Sequence, residues 1–350
     1  MAGSYEGGPV AALRRIAFLM ERGREETRRI QAFRNAAAVI LPLPADEVAA
    51  RAEAGTLTDL AGIGPSTAAV ITDAVNGEVP ERLAKLEAAF GPLVKGGEEL
   101  RARLRGDLHS HSDWSDGGSP IEEMAFTAIE LGHDYQVLTD HSPRLTVANG
   151  LSVERLTRQL GVVDAINQHL GDRQDDQGFT LLKGIEVDIL DDGALDQTDE
   201  MLAKLDMRVA SVHSKLRMDA APMTRRMIGA IENPRTNVLG HCTGRMVMGN
   251  RGTRPPSDFD AKAVFKACVE HDVAVEINSR PERRDPPTKL IELARDLGCL
   301  FSIDSDSHAP GQLDFLDYGC ERAEAAGLEP DRIVNTWPRE RLLAWAAKDA

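Results

Sequence analysis

The sequence has few cysteines and no long apolar run. Four cysteines are scattered over 350 residues without a C-x-x-C pair, which is too few and too dispersed for a disulfide framework. No apolar stretch approaches the roughly 18 residues that a membrane-spanning helix needs. The first ten residues carry neither the basic nor the apolar segment of a signal peptide. We therefore expect a soluble, monomeric protein of the reducing cytoplasm that has no membrane partner.

An excess of positive charge is also missing. The formal net charge is −15, which argues against nucleic acid as a partner if the charge is spread evenly. It is not spread evenly, because residues 1–105 hold 14 Lys and Arg against 14 Asp and Glu, so the whole acidic excess lies in residues 106–350. All nine histidines lie in the second part too. We predict a domain over residues 1–90, a linker over 91–105 and a second domain over 106–350.

The N-terminal part has the apolar spacing of short amphipathic helices. Two segments repeat the period of 3.6 residues before Pro42 and Pro44 end the pattern, and their apolar positions are Leu13, Ile16, Ala17 and Met20, then Ile30, Phe33, Ala37 and Ile40. This spacing predicts a small all-α domain.

A glycine-flanked turn follows these helices. Gly62-Ile63-Gly64 precedes Pro65, which suits the first position of a helix. This is a helix-hairpin-helix signature, in which glycines let the backbone approach a phosphate and the first amide groups of the helix donate to it. The residues predicted to contact DNA backbone are Gly62, Ile63, Gly64, Ser66 and Thr67. The alternative is an αα-hairpin whose glycines only make a tight turn.

From residue 106 onward, short apolar or β-branched runs alternate with helical stretches. Seven such runs predict seven strands, and their sequences are DLHSHS, YQVLTDHS, LLKGIEVDIL, MRVASVHS, NVLGHC, AVEINS and LFSIDSDSH. Seven βα repeats over about 245 residues indicate a parallel α/β barrel with one strand fewer than the usual eight.

Histidines and carboxylates follow these runs. The carboxyl ends of parallel barrel strands share one face, so nine polar side chains are expected to converge there: His109, His111, Asp116, His141, Glu186, His213, His241, Asp306 and His308. Imidazole and carboxylate without thiolate suit Zn, Mn or Fe. Cys242 is expected to point the other way, into the packing. Because nine ligands exceed the needs of one ion, we predict two or three divalent ions, which is the usual arrangement for hydrolysing phosphate esters.

These motifs resemble the polymerase-and-histidinol-phosphatase (PHP) family. The matching segments are His109-Ser-His111 with Asp116-Gly117, Thr139-Asp140-His141, Gly184-Ile-Glu186, Val212-His213-Ser214, Gly240-His241 and Asp306-Ser-His308. Val147-Ala-Asn-Gly-Leu-Ser152, Gly240-His-Cys-Thr-Gly-Arg245 and Glu276-Ile-Asn278 are most similar to the C-terminal PHP module of bacterial family-X DNA polymerases. Residues 10–95 also resemble the helical domain of those polymerases. The resemblance implies a distorted (β/α)7 PHP barrel preceded by a helix-hairpin-helix domain.

The resemblance also implies roles for the predicted ligands. His109, His111, Glu186 and Asp306 would hold one ion, and Glu186 would bridge to a second ion on His213 and His241. Asp116, His141 and His308 would hold a third. We expect Glu186, His213 and Asp306 to be catalytic, and Asp140 to support the neighbouring His141.

Two parts of the family-X polymerases have no counterpart in this sequence. Those polymerases place a palm with paired aspartates between the two regions, whereas residues 91–105 are the whole connection in this chain. In addition, Ser66 and Val70 stand where lyase-competent relatives carry lysines, and neither side chain can form a Schiff base. We therefore expect neither nucleotidyl transfer nor 5′-deoxyribose-phosphate lyase activity.

Substrate contacts are predicted from the residues that follow the strands. Lys215, Arg245, Arg280 and Arg283 can hold phosphate oxygens, although surface salt bridges are the alternative. Trp114 can stack on a base or sugar, or cover the site as a lid.

The sequence predicts a metal-dependent phosphoesterase acting on DNA, as a 3′-5′ exonuclease, a 3′-phosphatase or an abasic-site endonuclease. A small-molecule phosphatase of the histidinol-phosphatase type is the first alternative, and the acidic barrel favours it. The second alternative is a non-catalytic DNA-binding scaffold.

Overall fold

The structure, a computed structural model, describes residues 4–171, 178–249 and 252–348. The chain divides into two units, Met1–Pro92 and Leu93–Ala350. Within the described ranges, none of the helices is long and apolar enough to cross a membrane.

The first unit is built from helices. They are α1 (Gly8–Arg22), α2 (Thr27–Ile40), α3 (Ala45–Ala54), α4 (Pro65–Val75) and α5 (Glu81–Ala88). All eight apolar positions of the predicted pattern are buried in α1 and α2, which confirms the two predicted helices. These helices also share a buried ion pair, in which Arg34 Nη2 lies 2.7 Å from Glu21 Oε2. The predicted all-α N-terminal region is therefore confirmed.

The second unit is a ring of seven parallel strands with helices between them. The strands are β1 (Gly106–Ser110), β2 (Tyr135–Leu138), β3 (Thr180–Asp188), β4 (Met207–Ser211), β5 (Val238–Leu239), β6 (Ala274–Asn278) and β7 (Phe301–Asp304). The helices are α6 (Glu98–Arg101), α7 (Ile121–Glu130), α8 (Val153–Gly171), α9 (Asp199–Leu202), α10 (Ala220–Ile231), α11 (Ala261–Glu270), α12 (Thr288–Leu297), α13 (Leu316–Ala325) and α14 (Arg339–Ala347). Each strand pairs in parallel with the next one along the chain. The predicted (β/α)7 barrel is confirmed.

The ring closes irregularly between β1 and β7. Ser110 and Ser307 form an isolated parallel bridge, and the His111 amide donates to the Ser307 carbonyl at 2.8 Å. Between the same two strands, a side chain takes the place of a backbone acceptor, because Asp304 Oδ1 accepts a hydrogen bond from the Leu108 amide at 3.1 Å. The barrel is therefore distorted where its first and last strands meet.

The two ends of the barrel differ in polarity. At the amino ends of the strands, Tyr135, Met207, Val238 and Ala274 form an apolar cluster with residues of α14. At the carboxyl ends the buried residues are histidines, aspartates, glutamates and serines. Because apolar packing fills only the first end, the second end is where chemistry can occur.

Candidate metal centre

The nine predicted ligands lie at or beyond the carboxyl ends of six strands. His109 is in β1 and Glu186 is in β3, while the others occupy the loops that follow β1, β2, β4, β5 and β7. The six imidazole rings form a continuous set, with centroid separations of 4.5 Å between His111 and His141 and 5.2 Å between His213 and His241. The rings of His111 and His308, which are nearly 200 positions apart in the sequence, are also neighbours, with centroids 4.3 Å apart.

The side chains form three groups, and within each group the ligand atoms lie no more than 4.8 Å from one another. The first group is His109, His111 and Asp306. The second is His111, Asp116, His141 and His308, and the third is His141, Glu186 and His213. The groups share His111 and His141, so they form one continuous centre. His241 lies beside it, with Nε2 at 2.9 Å from Glu186 Oε1. The structure thus gathers all nine residues, and it groups His141 with Glu186 and His213 as well as with Asp116 and His308.

Glu186 lies at the middle of the centre. Its Oε1 is 3.2 Å from His213 Nε2, and its Oε2 is 3.3 Å from His109 Nε2 and 2.9 Å from His141 Nδ1. Burial raises the pKa of this carboxyl, but the charges of His109, His213 and His141 outweigh burial and hold the pKa well below its ordinary value. A carboxylate that reaches several imidazoles through both oxygens has the geometry of a bridging group.

Two other members of the centre, His111 and Asp306, have pKa values shifted in the direction that metal binding requires. Burial, together with the neighbouring His308 and His141, lowers the pKa of His111 to about 3, so this imidazole is neutral at physiological pH. Burial raises the pKa of the Asp306 carboxyl, but Arg283 and His109 outweigh burial and hold it well below its ordinary value. A neutral imidazole and an ionised carboxylate are the forms that bind metals.

The donor set fits divalent metal ions. Among the described residues, His109 Nε2 and both ring nitrogens of His111 and His213 are buried without a hydrogen-bond partner. Buried polar atoms are normally paired, so a cluster of unpaired ones indicates that something else completes them. The atoms are imidazole nitrogens and carboxylate oxygens, which Zn, Mn and Fe accept.

Buried carboxylates hold the ligand-bearing loops in place. Asp140 accepts from the Ser112 amide at 2.8 Å and from Gln159 Nε2 at 2.5 Å, so it fixes the loop between His111 and Asp116. Asp188 Oδ1 lies 3.4 Å from His213 Nδ1. Glu276 Oε1 lies 2.6 Å from His109 Nδ1. Sequence reasoning gave no role to Asp188 or Glu276, although polar residues in otherwise apolar buried strands are a signal for both.

The four predicted cationic residues have different surroundings. Arg280 Nη1 lies 2.8 Å from His308 Nδ1, and Arg283 Nε donates to Asp306 Oδ2 at 3.0 Å, so both border the centre. Arg245 bonds the backbone carbonyls of Arg283 and Arg284. Lys215 is exposed and pairs with Asp191.

Trp114 is half-buried and packs against two apolar clusters. Its carbonyl accepts from Asn149 Nδ2 at 3.2 Å and also from Arg155. These contacts tie the loop after β1 to the loop after β2 at the rim of the centre.

The remaining histidines and Cys242 lie outside the centre. His133 is buried, and burial together with Arg101 lowers its pKa to about 3. His169 belongs to α8 and His271 follows α11. Cys242 is buried in an apolar cluster of the barrel, where the sequence analysis expects it.

In the helical unit, the hairpin precedes α4. Gly62 has φ +96°, and a Cβ atom there would lie 3.3 Å from Val39 Cγ2, whereas a Cβ atom on Gly64 would meet nothing within 4 Å. Ser66 and Thr67 are in the first turn of α4, where amide groups lack helical acceptors. The Thr67 hydroxyl and the Gly64 amide bond each other, and the Ile63 side chain is buried. The free amides of Ser66 and Thr67 are therefore the donors that the hairpin presents.

Two family models match this chain. The helix-hairpin-helix domain model matches residues 8–79, and the PHP domain model matches residues 107–297, more than half of the chain.

Among curated relatives, the chain is 35% identical over 233 residues to the "DNA polymerase/3′-5′ exonuclease PolX" of Bacillus subtilis. That match covers 67% of this chain and 39% of PolX, so the chain spans well under half of this relative's length. The chain is also 30% identical over 226 residues to a "Probable phosphatase" of Aeromonas hydrophila, covering 60% of this chain and 87% of the relative.

A solved histidinol phosphate phosphatase from Lactococcus lactis is similar with a TM-score of 0.46 and 16% identity, covering 65% of this chain and 95% of that one.

The family models and the barrel agree on one assignment. The nine gathered imidazoles and carboxylates lie on the PHP barrel, which begins where the matched segment begins. The chain therefore belongs to the PHP domain family, as a metal-dependent phosphoesterase with a helix-hairpin-helix domain in front of its barrel.

Proposed function

We propose that this protein hydrolyses phosphate esters of DNA, as a 3′-5′ exonuclease, a 3′-phosphatase or an abasic-site endonuclease in DNA repair. The observation that carries the proposal is the presence, on one chain, of a helix-hairpin-helix domain and a nine-residue centre of metal-ligand type. The name of the PolX relative, which includes a 3′-5′ exonuclease, supports it. In this proposal the protein acts as a monomer in the cytoplasm.

The nine gathered residues are proposed as ligands for two or three divalent ions of Zn, Mn or Fe. His109, His111, Asp306 and Glu186 would hold one ion, and Glu186, His213 and His241 would hold another. Asp116, His141 and His308 would hold a third. Bound ions supply Lewis acidity, which lowers the pKa of water and stabilises charge on the phosphoryl oxygens.

The protein's own residues orient the reactants. Arg280 and Arg283 border the centre and can donate to non-bridging phosphate oxygens, since guanidinium matches phosphate geometry. Asp140 fixes the loop that carries His111 and Asp116 through its bonds to Ser112 and Gln159. Trp114, packed between two loops at the rim, limits access of water. Lys215 and Arg245 are assigned weaker roles, because they contact Asp191 and backbone carbonyls rather than residues of the centre.

The proposal gives DNA binding and catalysis to different domains. We assign residues 1–90 to DNA binding, 91–105 to the linker and 106–350 to catalysis. Backbone contacts through Gly62, Gly64, Ser66 and Thr67 do not depend on base sequence. Tethering a DNA-binding domain to the enzyme raises the effective concentration of phosphate esters near the centre.

A panel of substrates tests the proposal. Protein loaded with Mn²⁺ or Zn²⁺ is assayed on recessed, 3′-phosphorylated and abasic DNA, and on histidinol phosphate. We expect kcat/KM to be highest on one of the DNA substrates and to fall steeply with salt on DNA alone. If the protein turns over none of these substrates with any divalent ion, the proposal is wrong and the non-catalytic DNA-binding scaffold is the alternative that stands.

A second candidate function is a small-molecule phosphatase of the histidinol-phosphatase type. The acidic excess of −15 in residues 106–350 favours it, because a negatively charged barrel repels DNA except where bound cations invert the local potential. In this case histidinol phosphate, or another small phosphate monoester, is the best substrate of the panel.

A further inference from the structure

Glu276 is a fully buried carboxylate in β6, the one strand that contributes none of the nine ligands. Its Oε1 lies 2.6 Å from His109 Nδ1. Its Oε2 accepts from the backbone amide of His241 and, at 3.2 Å, from Asn278 Nδ2. One side chain therefore touches two predicted ligands that come from β1 and from the loop after β5.

The contact with His109 selects one form of the imidazole. A carboxylate accepts hydrogen bonds and donates none, so the proton that His109 keeps when it binds a metal is the one on Nδ1. The lone pair is then on Nε2, which lies 3.3 Å from Glu186 Oε2 and 4.0 Å from Asp306 Oδ1. Nε2 is also one of the buried nitrogens without a hydrogen-bond partner. The nitrogen that is free to bind a metal is therefore the one that faces the other ligands.

We propose that Glu276 is a positioning residue of the metal centre. It holds His109 in the tautomer that presents Nε2 to the centre, and it anchors the backbone of His241 so that its Nε2 faces Glu186. The proposal rests on the ligand roles given to His109 and His241 above. A carboxylate partner on the far nitrogen of a metal-ligating histidine fixes the ring and makes it a better ligand.

Replacing Glu276 by glutamine tests this role sharply because the shape is conserved. A glutamine amide has one oxygen and one NH₂ group, whereas Glu276 accepts through both oxygens. If the oxygen faces the His241 amide and Asn278, the NH₂ group faces His109 Nδ1 and moves the histidine proton to Nε2. In the opposite orientation the NH₂ group meets the His241 amide donor. Either arrangement damages one of the two predicted ligands.

Asp285 provides a matched control. It is also fully buried, and its carboxylate accepts from the Thr243 amide at 3.1 Å and the Thr243 hydroxyl at 2.7 Å. Asp285 also bonds Arg245, Asn278 and Arg322, and neither these residues nor Thr243 are predicted ligands. Asp285→Asn therefore removes a buried charge from a neighbouring loop without changing the tautomer of a ligand.

The experiment compares zinc binding by the wild type, Glu276→Gln and Asp285→Asn, using a chromogenic chelator in competition. We expect Glu276→Gln to bind at least one ion about 10- to 100-fold more weakly, while Asp285→Asn keeps wild-type affinities. Long-range ¹H–¹⁵N spectra of zinc-loaded, histidine-labelled protein should show the signal of a histidine with a protonated Nδ1 that is present in the wild type and absent in Glu276→Gln. Circular dichroism checks that each variant folds. If Glu276→Gln does not fold, Glu276→Asp takes its place, because the aspartate side chain is too short for both contacts, and the expected result is the same.

Equal zinc affinities and equal histidine spectra in the wild type and Glu276→Gln would overturn the positioning role alone. A wild type that binds no divalent ion would overturn the ligand assignment, and the positioning role with it. Neither readout depends on whether DNA or a small molecule is the substrate.

Discussion

The helical unit and the barrel unit bring their functional groups together in opposite ways. In the helical unit, the functional groups come from one short segment, because the hairpin from Gly62 to Thr67 presents the backbone amides of the adjacent residues Ser66 and Thr67. In the barrel unit, the centre is made of side chains that range from His109 to His308 and come from six strands. The hairpin is exposed at Gly62, Gly64 and Ser66, whereas the centre has its key members, such as Glu186, almost fully buried.

The difference shows what each kind of function requires. Binding a phosphate backbone without reading its sequence needs only a helix start that the ligand can approach closely. Hydrolysis needs several charged groups held at fixed distances in a water-poor environment, and such groups are costly to bury unless partners compensate them. The barrel supplies such partners as buried carboxylates. Asp140 bonds the loop that contains Ser112, and Asp188 contacts the ring of His213.

The largest expected effect comes from Glu186→Gln in the barrel. An amide is a poorer ligand without charge, so a change at the residue that reaches His109, His141 and His213 should disturb two ions at once. We expect at least about a 100-fold loss of turnover on every substrate and a lower metal content by elemental analysis. DNA affinity through the helical unit should not change. A variant with full metal content and wild-type turnover would show that Glu186 does not bridge.

A smaller effect, confined to DNA, is expected from Gly64→Val. A side chain at this open position leaves the fold intact but blocks the approach of a phosphate to the Ser66 and Thr67 amides. We expect DNA to bind about tenfold more weakly, equivalent to about 1.4 kcal/mol, with unchanged hydrolysis of a small chromogenic phosphate ester. Gly91→Val is the control, because it adds the same side chain to another open position of the helical unit. Unaltered affinity and salt dependence would make the hairpin a structural turn.

Gly62→Val separates folding from binding in the same hairpin. Its φ of +96° is a conformation that valine rarely adopts, and Val39 crowds the new side chain. We expect this variant to lower the thermal stability of the helical unit as well as DNA affinity, while Gly64→Val lowers affinity alone. Thermal unfolding followed by circular dichroism distinguishes them, and equal melting curves for all three proteins would contradict the assignment of Gly62 to the turn geometry.

A more modest effect is expected from removing one cation at the rim of the barrel. Arg280→Gln should raise KM for DNA and small esters alike by about tenfold, because Arg280 borders His308 and can hold a phosphate oxygen. Lys215→Ala is the comparison, and we expect less than a twofold change because Lys215 is exposed and forms a surface pair with Asp191. Steady-state kinetics decide between them. A larger change for Lys215→Ala than for Arg280→Gln would reverse the assignment.

No effect at all is expected in assays of polymerisation and lyase chemistry. Nucleotidyl transfer needs clustered aspartates that hold two Mg²⁺ ions beside a nucleotide pocket, and residues 91–105 have no room for such a palm. Val70 has a hydrocarbon side chain and Ser66 a hydroxyl, so neither supplies the amine that a Schiff base needs. Extension of a primed template by protein free of host polymerases would contradict the first expectation. A borohydride-trapped adduct within residues 1–100 would contradict the second.

The sequence predicts the strands and the gathering of the nine candidate ligands better than it predicts the buried residues that contact those ligands. Histidines directly after apolar runs, such as His213 and His241, mark strand ends because a parallel barrel leaves few other places for them. Glu276 and Asp188 lie inside apolar runs, and nothing in the sequence says which side of the strand faces a ligand. Their partners become visible only when β1, β3, β5 and β6 are neighbours in the barrel.

The sequence also does not predict how the barrel closes between β1 and β7. Asp304 substitutes for a backbone partner by accepting from Leu108 across the seam between β1 and β7. A local pattern contains no information about a contact between positions almost 200 residues apart. In the hairpin, the spacing of the glycines predicts the turn. Only the structure shows that the Gly64 amide donates to the Thr67 hydroxyl.

The most direct test of the central claim is a comparison of kcat/KM for 3′-labelled DNA and for histidinol phosphate, measured with metal-depleted protein before and after addition of Mn²⁺. The account predicts no turnover before addition, and afterwards a higher kcat/KM on DNA that falls with salt, while histidinol phosphate turnover stays low and insensitive to salt. After Mn²⁺ addition, Glu186→Gln should stay at least about 100-fold below the wild type. DNA turnover without metal, or a higher kcat/KM on histidinol phosphate, would contradict the account.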